Sequence, residues 1–321
     1  MLLSIVEANA RIQRGDPLII AGSRESLAAL APGSWIGGSI PYFMDGDGGR
    51  CDRARVFVDE IKLPVVRWSI RAYGPATLNR IASDAFANGF SYVIIPANSA
   101  AHLEYAMRAP QYPDIFMKPV IGWISGMHLD EAGVATPAVI DGRTGTVLEN
   151  DAIVLHVELP AEHQVMVHTV NLFEPGKGPS LRFTETGFSA STALVDGRPV
   201  NLVRYMLDSR WEVRTPLVAD YAGTHVNVSI RSIDEAAGRV TFYAPVFPDI
   251  DYRAASPLGD YVGVFAQRVP ANVQPVLSCN CILNYVYGGL EGRRTGPFTG
   301  PVTFGEIAHQ LLNQTLVYLA A

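Results

Sequence analysis

Cys279 and Cys281 stand two residues apart, so on a strand both thiols face one side, where a third soft ligand would complete a metal site. Cysteine is also among the most buried residue types, so a small core hydrophobe is the simpler reading, with a ligand-facing or reactive thiol next and a metal site last. Cys51 makes the count three, too few for a disulfide framework and odd enough to leave a free thiol, so a reducing compartment is expected. His156 and Glu158 share a strand face, and His168 placed across from them would give a His, Glu, His set able to bind zinc or move protons. No HExxH spacing accompanies them, and a polar, partly solvated sheet face is the simpler reading. Glu306 follows Thr303 by three, the spacing of a capping box, where a carboxylate can both cap a helix and contact a ligand. Arg293 and Arg294, in the glycine-rich stretch 288–296, offer guanidiniums to an anion or belong to a solvated loop.

Other chemistry loses its support. Asp45-Gly46-Asp47-Gly48-Gly49 does not meet the dinucleotide fingerprint, no phosphate-binding GxxxxGK[ST] occurs, and Ser125 falls one place late for a nucleophile elbow in Gly122-Trp123-Ile124-Ser125-Gly126. A calcium loop begun at Asp45 would have Val56 at its twelfth position, so that acidic cluster reads as a surface turn. The net charge of -6, from 25 Lys+Arg against 31 Asp+Glu, supplies no basic field for a phosphate backbone or an anionic membrane, so no nucleic acid and no membrane partner is expected. With 48% hydrophobic and 17% charged residues across 321, a sizeable core is affordable. The apolar start Met1-Leu2-Leu3-Ser4-Ile5-Val6 lacks a basic region and soon meets Glu7 and Arg11, so it reads as a helix start and not a signal; a cytoplasmic protein is expected.

The elements that must position these residues alternate in the first half. Leu18–Ala21 reads as a strand followed by a helix capped by Ser23. A helix begins at Gly74-Pro75 and carries Leu78, Ile81, Ala85 and Phe86; strand Tyr92–Ile95, a helix capped by Ser99 and strand Pro119–Ile124 follow. From Pro137 the pattern turns antiparallel, through Asp141-Gly142 to a strand over Ile153–Leu159. In the second half, Asp196-Gly197-Arg198-Pro199 reads as a turn feeding a helix with Val200, Val203 and Leu207. Ser256-Pro257 caps one with Leu258, Tyr261, Val262 and Phe265. Val273–Ile282 is a strand, and Thr303 starts a final helix with Phe304, Ile307, Leu311 and Leu312. The expectation is an α/β protein of two mixed-sheet domains with helices packed on the sheets, 1–168 and 169–321, the turn cluster Glu174–Pro179 marking the passage.

The second-half segments resemble, in this order, the FIST family of two-part bacterial proteins. Val195–Tyr205 is similar to that family's DG-x-P turn and helix, Val240–Val246 with Pro248 to its strand and loop, Leu277-Ser278-Cys279 with Gly289 to its strand ending in Cys, and Phe304-Gly305-Glu306-Ile307 to its GEI motif. Ser34–Ser39 and Val120-Ile121-Gly122 resemble first-half glycine motifs, altered here by Trp35 and Trp123, and Asn280-Cys281 after Cys279 is a second departure. The resemblance implies a small-molecule-binding sensory protein, without cofactor, that signals through a partner protein; a homo-oligomer stays open. The alternatives are a cysteine-dependent enzyme, its thiol activated by a histidine such as His309, and a haem- or metal-binding sensor.

Pockets favour aromatic walls with a few convergent polar atoms. The expected ligand site therefore joins Trp35, Ser39, Tyr42, Trp123 and Ser125 of the first half to Cys279, Asn280, Cys281, Tyr285, Arg293 and Glu306, which the resemblance puts on neighbouring segments. The competing reading makes both tryptophans core residues.

Overall fold

The computed structural model describes residues 1–221, 224–270 and 272–321. The chain is a mixed α/β protein, 17% helix and 41% strand. Its first sheet runs Leu2–Leu3, Val56–Glu60, Leu18–Gly22, Trp35–Ser39, Val139–Asp141, Thr146–Leu148, with the third and fourth strands parallel. Ser4 caps the first helix, Ile5–Ile12, in a capping box with Glu7, and Ser23 caps Arg24–Ala28, so both helices start where the serines direct them. Ala8, Ile12 and Leu27 from these helices close over Leu18, Ile20 and Trp35.

A second sheet packs behind the first, in the order Gln310–Leu312, Glu306–Ala308, Val120–Ser125, Gly89–Pro96, Ala152–Glu158, Arg67–Tyr73. Val120–Ser125 lies parallel to Gly89–Pro96 at a crossing that tolerates no side chain at Gly122, where a Cβ would stand 1.8 Å from the Val93 carbonyl oxygen. The helix Ala100–Arg108, capped by Ser99, covers the outer face through Ala101, Tyr105 and Ala106. The third sheet runs Met166–Asn171, Thr315–Ala320, Leu277–Cys281, Gly300–Thr303, Tyr42–Asp45, Gly48–Cys51. These two sheets each combine strands from the beginning and the end of the chain. The position expected to divide the halves, 168/169, falls inside the strand Met166–Asn171.

The remaining strands form a smaller antiparallel layer, Arg198–Asn201, Thr192–Val195, Leu181–Arg182, Tyr252–Ala254, Leu217–Tyr221, Thr224–Val228, next to a three-stranded sheet of Gly187–Ala190, Arg239–Val246 and Ile230–Asp234. Phe183, Leu202, Met206, Phe242 and Tyr252 fill the space between them.

Several elements depart from the sequence pattern. The final helix expected from Thr303 is instead three short strands, because Glu306–Ala308 finds a better partner in the edge of Val120–Ser125 and the left-handed residues His309 and Gln314 break the chain into tight turns. Asp196 and Gly197 both have positive φ and make a hairpin, so Pro199 sits in a strand and Asn201 caps the helix Leu202–Asp208. Asp260, not Ser256, caps Tyr261–Arg268 by accepting from the Gly263 N–H. The segment after Pro75 is a short 3-10 helix, Pro75–Arg80, and the strand at the cysteines is confined to Leu277–Cys281 with the helix Ile282–Tyr287 after it.

Candidate functional site

The structure brings part of the expected site together and disperses the rest. Glu306 is opposite Trp123 in the strand pair, and Cys281 is opposite Thr303. The Cys279 thiol donates to the Gly122 carbonyl at 3.4 Å, so the cysteine strand and the Trp123 strand are in direct contact. The contact is packed core. Trp123 has no exposed surface, and its ring fills the place a Cβ on Gly38 would take, 2.5 Å away. Trp35 packs on the other side of the first sheet over Gly142 and donates its indole N–H to the Ala31 carbonyl at 3.0 Å. Neither tryptophan lines the clefts of about 190, 390 and 760 Å³ in this fold.

Glu306 sits at the centre of the buried group. Its carboxyl accepts from Thr303 Oγ1 at 3.2 Å, Thr315 Oγ1 at 2.9 Å and the Thr315 N–H at 3.3 Å. Burial pushes its pKa up to about 8, and the hydrogen bonds from Thr315, Cys281 and Thr303 only moderate that rise. The carboxyl is therefore held mainly protonated at neutral pH, and its role is not the helix cap that the Thr-x-x-Glu spacing suggested. Burial, and next the Glu306 charge, push both the Cys279 and Cys281 thiols well up. A nucleophilic cysteine needs the opposite shift, and among the described residues no imidazole hydrogen-bonds to either thiol. His309 instead occupies the turn after Glu306–Ala308 and packs on Phe116. Among the described residues no three His, Cys, Asp or Glu side chains converge on a metal position.

Asn280 accepts from the Cys281 N–H and from Asn284 Nδ2, and Tyr285 stacks edge-on against Tyr42 at 5.6 Å, with the Tyr42 hydroxyl accepting from the Leu129 N–H. Ser125 is fully buried. Ser39 lines the 190 Å³ cleft, yet its hydroxyl is spent on the Gly126 carbonyl and the Ala138 N–H. Arg293 ion-pairs with Asp260 at 2.5 Å. His156 is not on a solvated face: it is fully buried between the Tyr73 hydroxyl and Ser91 Oγ, each at 2.8 Å, and burial lowers its pKa to about 4. His168 belongs to a different sheet and stacks on Tyr318.

The cleft with the features of a ligand site lies elsewhere. About 760 Å³ in size, it opens between the start of the helix Ala100–Arg108, the segment 127–133, Phe188, the strands bearing Arg231 and Tyr243, and Phe304. At its wall Asn98, held at φ 61, directs its N–H to Nδ1 of His102 at 3.1 Å. A ring that accepts at Nδ1 carries its proton on Nε2 when neutral, and burial keeps it neutral by lowering its pKa to about 4. That Nε2–H donor is buried without a partner. Arg231, exposed on the facing strand, has no ion pair among the described residues. Leu103, Met127, Leu129, Phe242 and Phe304 supply apolar wall.

A family model matches residues 3–321. The chain belongs to DUF6976, a family of unknown function. No curated protein and no solved structure matches it. The DUF6976 cleft was missed by sequence reasoning because its residues come from six separate segments and form no local motif. The one local signal was Ser99, whose Oγ accepts from the His102 N–H at 3.0 Å and so fixes where the imidazole stands.

Proposed function

We propose that this DUF6976 chain is a receptor for a small organic acid with an apolar body, held in the 760 Å³ cleft. The observation that carries the reading is the His102 Nε2–H, a tautomer-fixed, buried donor with no protein partner in the wall of a largely apolar cleft. An acceptor oxygen of a carboxylate satisfies it, the unpaired Arg231 guanidinium attracts the charge, and Phe188, Phe242 and Phe304 take the hydrocarbon part. The FIST resemblance of the second half supports the sensory part of the proposal, in which the bound state is passed to a partner protein. A cysteine-dependent reaction is not part of it, since both buried thiols are pushed away from the thiolate.

Thermal-shift titration with benzoate and hexanoate at pH 7, against benzyl alcohol and hexanol, tests the reading. The acids raise the midpoint by mass action on the native state and the alcohols do not. Arg231→Gln removes that preference while leaving the ligand-free midpoint in place. Equal shifts for acids and alcohols, or no shift for either, overturn it.

A further inference from the structure

We infer that the cleft of about 390 Å³ beside the cysteine strand is a second binding site, for a small ring compound carrying both an oxyanion and a hydrogen-bond donor. It is distinct from the His102 cleft and is lined by Phe173, Arg214, Leu258, Tyr261, Asn284 and Tyr287, among others. Its floor is polar and deeply buried. Asn284 is 2% exposed, and its amide orientation is forced: Nδ2 donates to the Thr315 carbonyl at 3.2 Å and to Asn280 Oδ1 at 3.0 Å. Both partners are acceptors there, since Asn280 Oδ1 already receives the Cys281 N–H, so the amide cannot be turned round without losing both bonds. Asn284 Oδ1 is left as a buried acceptor without a donor, a state that costs free energy until a donor arrives.

The rim carries the opposite requirement. The Arg214 guanidinium lies 5.8 Å over the Tyr287 ring and has no ion pair among the described residues. Its backbone carbonyl accepts from Gln314 Nε2, which ties the rim to the buried end of the last strand. A guanidinium parked on an aromatic face is positioned but not neutralised, so it remains available to an oxyanion. Between rim and floor, Phe173, Pro257 and Leu258 give apolar sides suited to a ring. Donor toward Asn284 and oxyanion toward Arg214 are two conditions on one ligand, and the cleft selects for both.

The test is calorimetric titration in an Arg231→Gln background, which removes the acid preference of the His102 cleft, so that a preference for oxyanion probes that remains, and that Arg214→Gln then abolishes, belongs to this site. The probes are 4-hydroxybenzoate and 4-hydroxyphenyl phosphate, which distinguish a carboxylate from a phosphate, together with 4-methoxybenzoate, lacking the donor, and 4-hydroxybenzyl alcohol, lacking the charge. At least one of the first two binds, and the matched controls bind about tenfold more weakly or not at all, the loss expected for one unsatisfied polar contact. Arg214→Gln, at an exposed position, weakens the oxyanion probe by about the same factor with an unchanged ligand-free melting curve. Absence of binding by both oxyanion probes overturns the proposal. So does a methoxy analogue that binds as well as the phenol, or an affinity untouched by Arg214→Gln.

Discussion

Glu306 stores a pH dependence in the core. Its folded pKa of about 8 lies above its ordinary value near 4.5, so the folded state keeps a proton that the unfolded chain releases. The stabilisation is complete below the unfolded pKa and is lost as pH rises toward about 8, on the order of a few kcal/mol across that window. Glu306→Gln should flatten this slope and raise the urea midpoint at pH 8, with little change at pH 5. The histidines act in the other direction. His102 and His156, both lowered to about 4, are neutral in the fold, so stability falls as pH drops from the unfolded value near 6.5 toward 4. A melting series from pH 4 to 9 that shows no decline at either end contradicts both assignments. The thiols give a third check: Cys51 is exposed while Cys279 and Cys281 are buried, so DTNB should titrate one thiol in the native protein and three in guanidinium.

At the scale of elements, serine caps and buried apolar strands were readable and edge pairing was not. Ser23 and Ser99 begin helices as their positions dictated, and Tyr92–Ile95 and Val120–Ile124 lie in strands, because long apolar runs after turn residues have few alternatives. Thr303 to Leu312 carried helical spacing and a capping box, yet became strands. Short apolar runs fit either period, and what decided the outcome was the open edge of Val120–Ser125, more than 180 residues away in sequence. Asp196-Gly197, expected to feed a helix directly, makes a hairpin instead, the outcome such a dipeptide favours when strand partners flank it. For the candidate site, the sequence brought Trp123, Cys279, Cys281 and Glu306 to one place but could not tell a filled core from a cleft, a matter of ring placement over Gly38. Gly122→Ala tests the crossing at that place. A methyl group 1.8 Å from the Val93 carbonyl oxygen must part the two strands, and the urea midpoint should report a loss of roughly 3 kcal/mol.

Across the whole molecule, the halves are joined by shared sheets. Glu306–Ala308 extends the sheet built on Gly89–Pro96, Gly300–Thr303 pairs with Tyr42–Asp45, and one core cluster runs from Ile19 to Leu319. An isolated 1–168 fragment should therefore lack a cooperative thermal transition, whereas the full chain shows one that coincides in near-ultraviolet circular dichroism and fluorescence. A fragment that melts cooperatively alone would mean the shared strands are accessory.

Those same pairings set an order of events during synthesis. When the ribosome has released the strand Val120–Ser125, the residues that close its edge are still some 180 codons from being made, roughly ten to forty seconds at ordinary elongation rates. Throughout that interval the nascent chain presents open strand edges, at Val120–Ser125 and at Tyr42–Asp45, to any other extended segment nearby. Folding of these sheets thus waits until residues 300–308 have been made, and the yield in a cell should depend on chaperones that shield nascent strand edges.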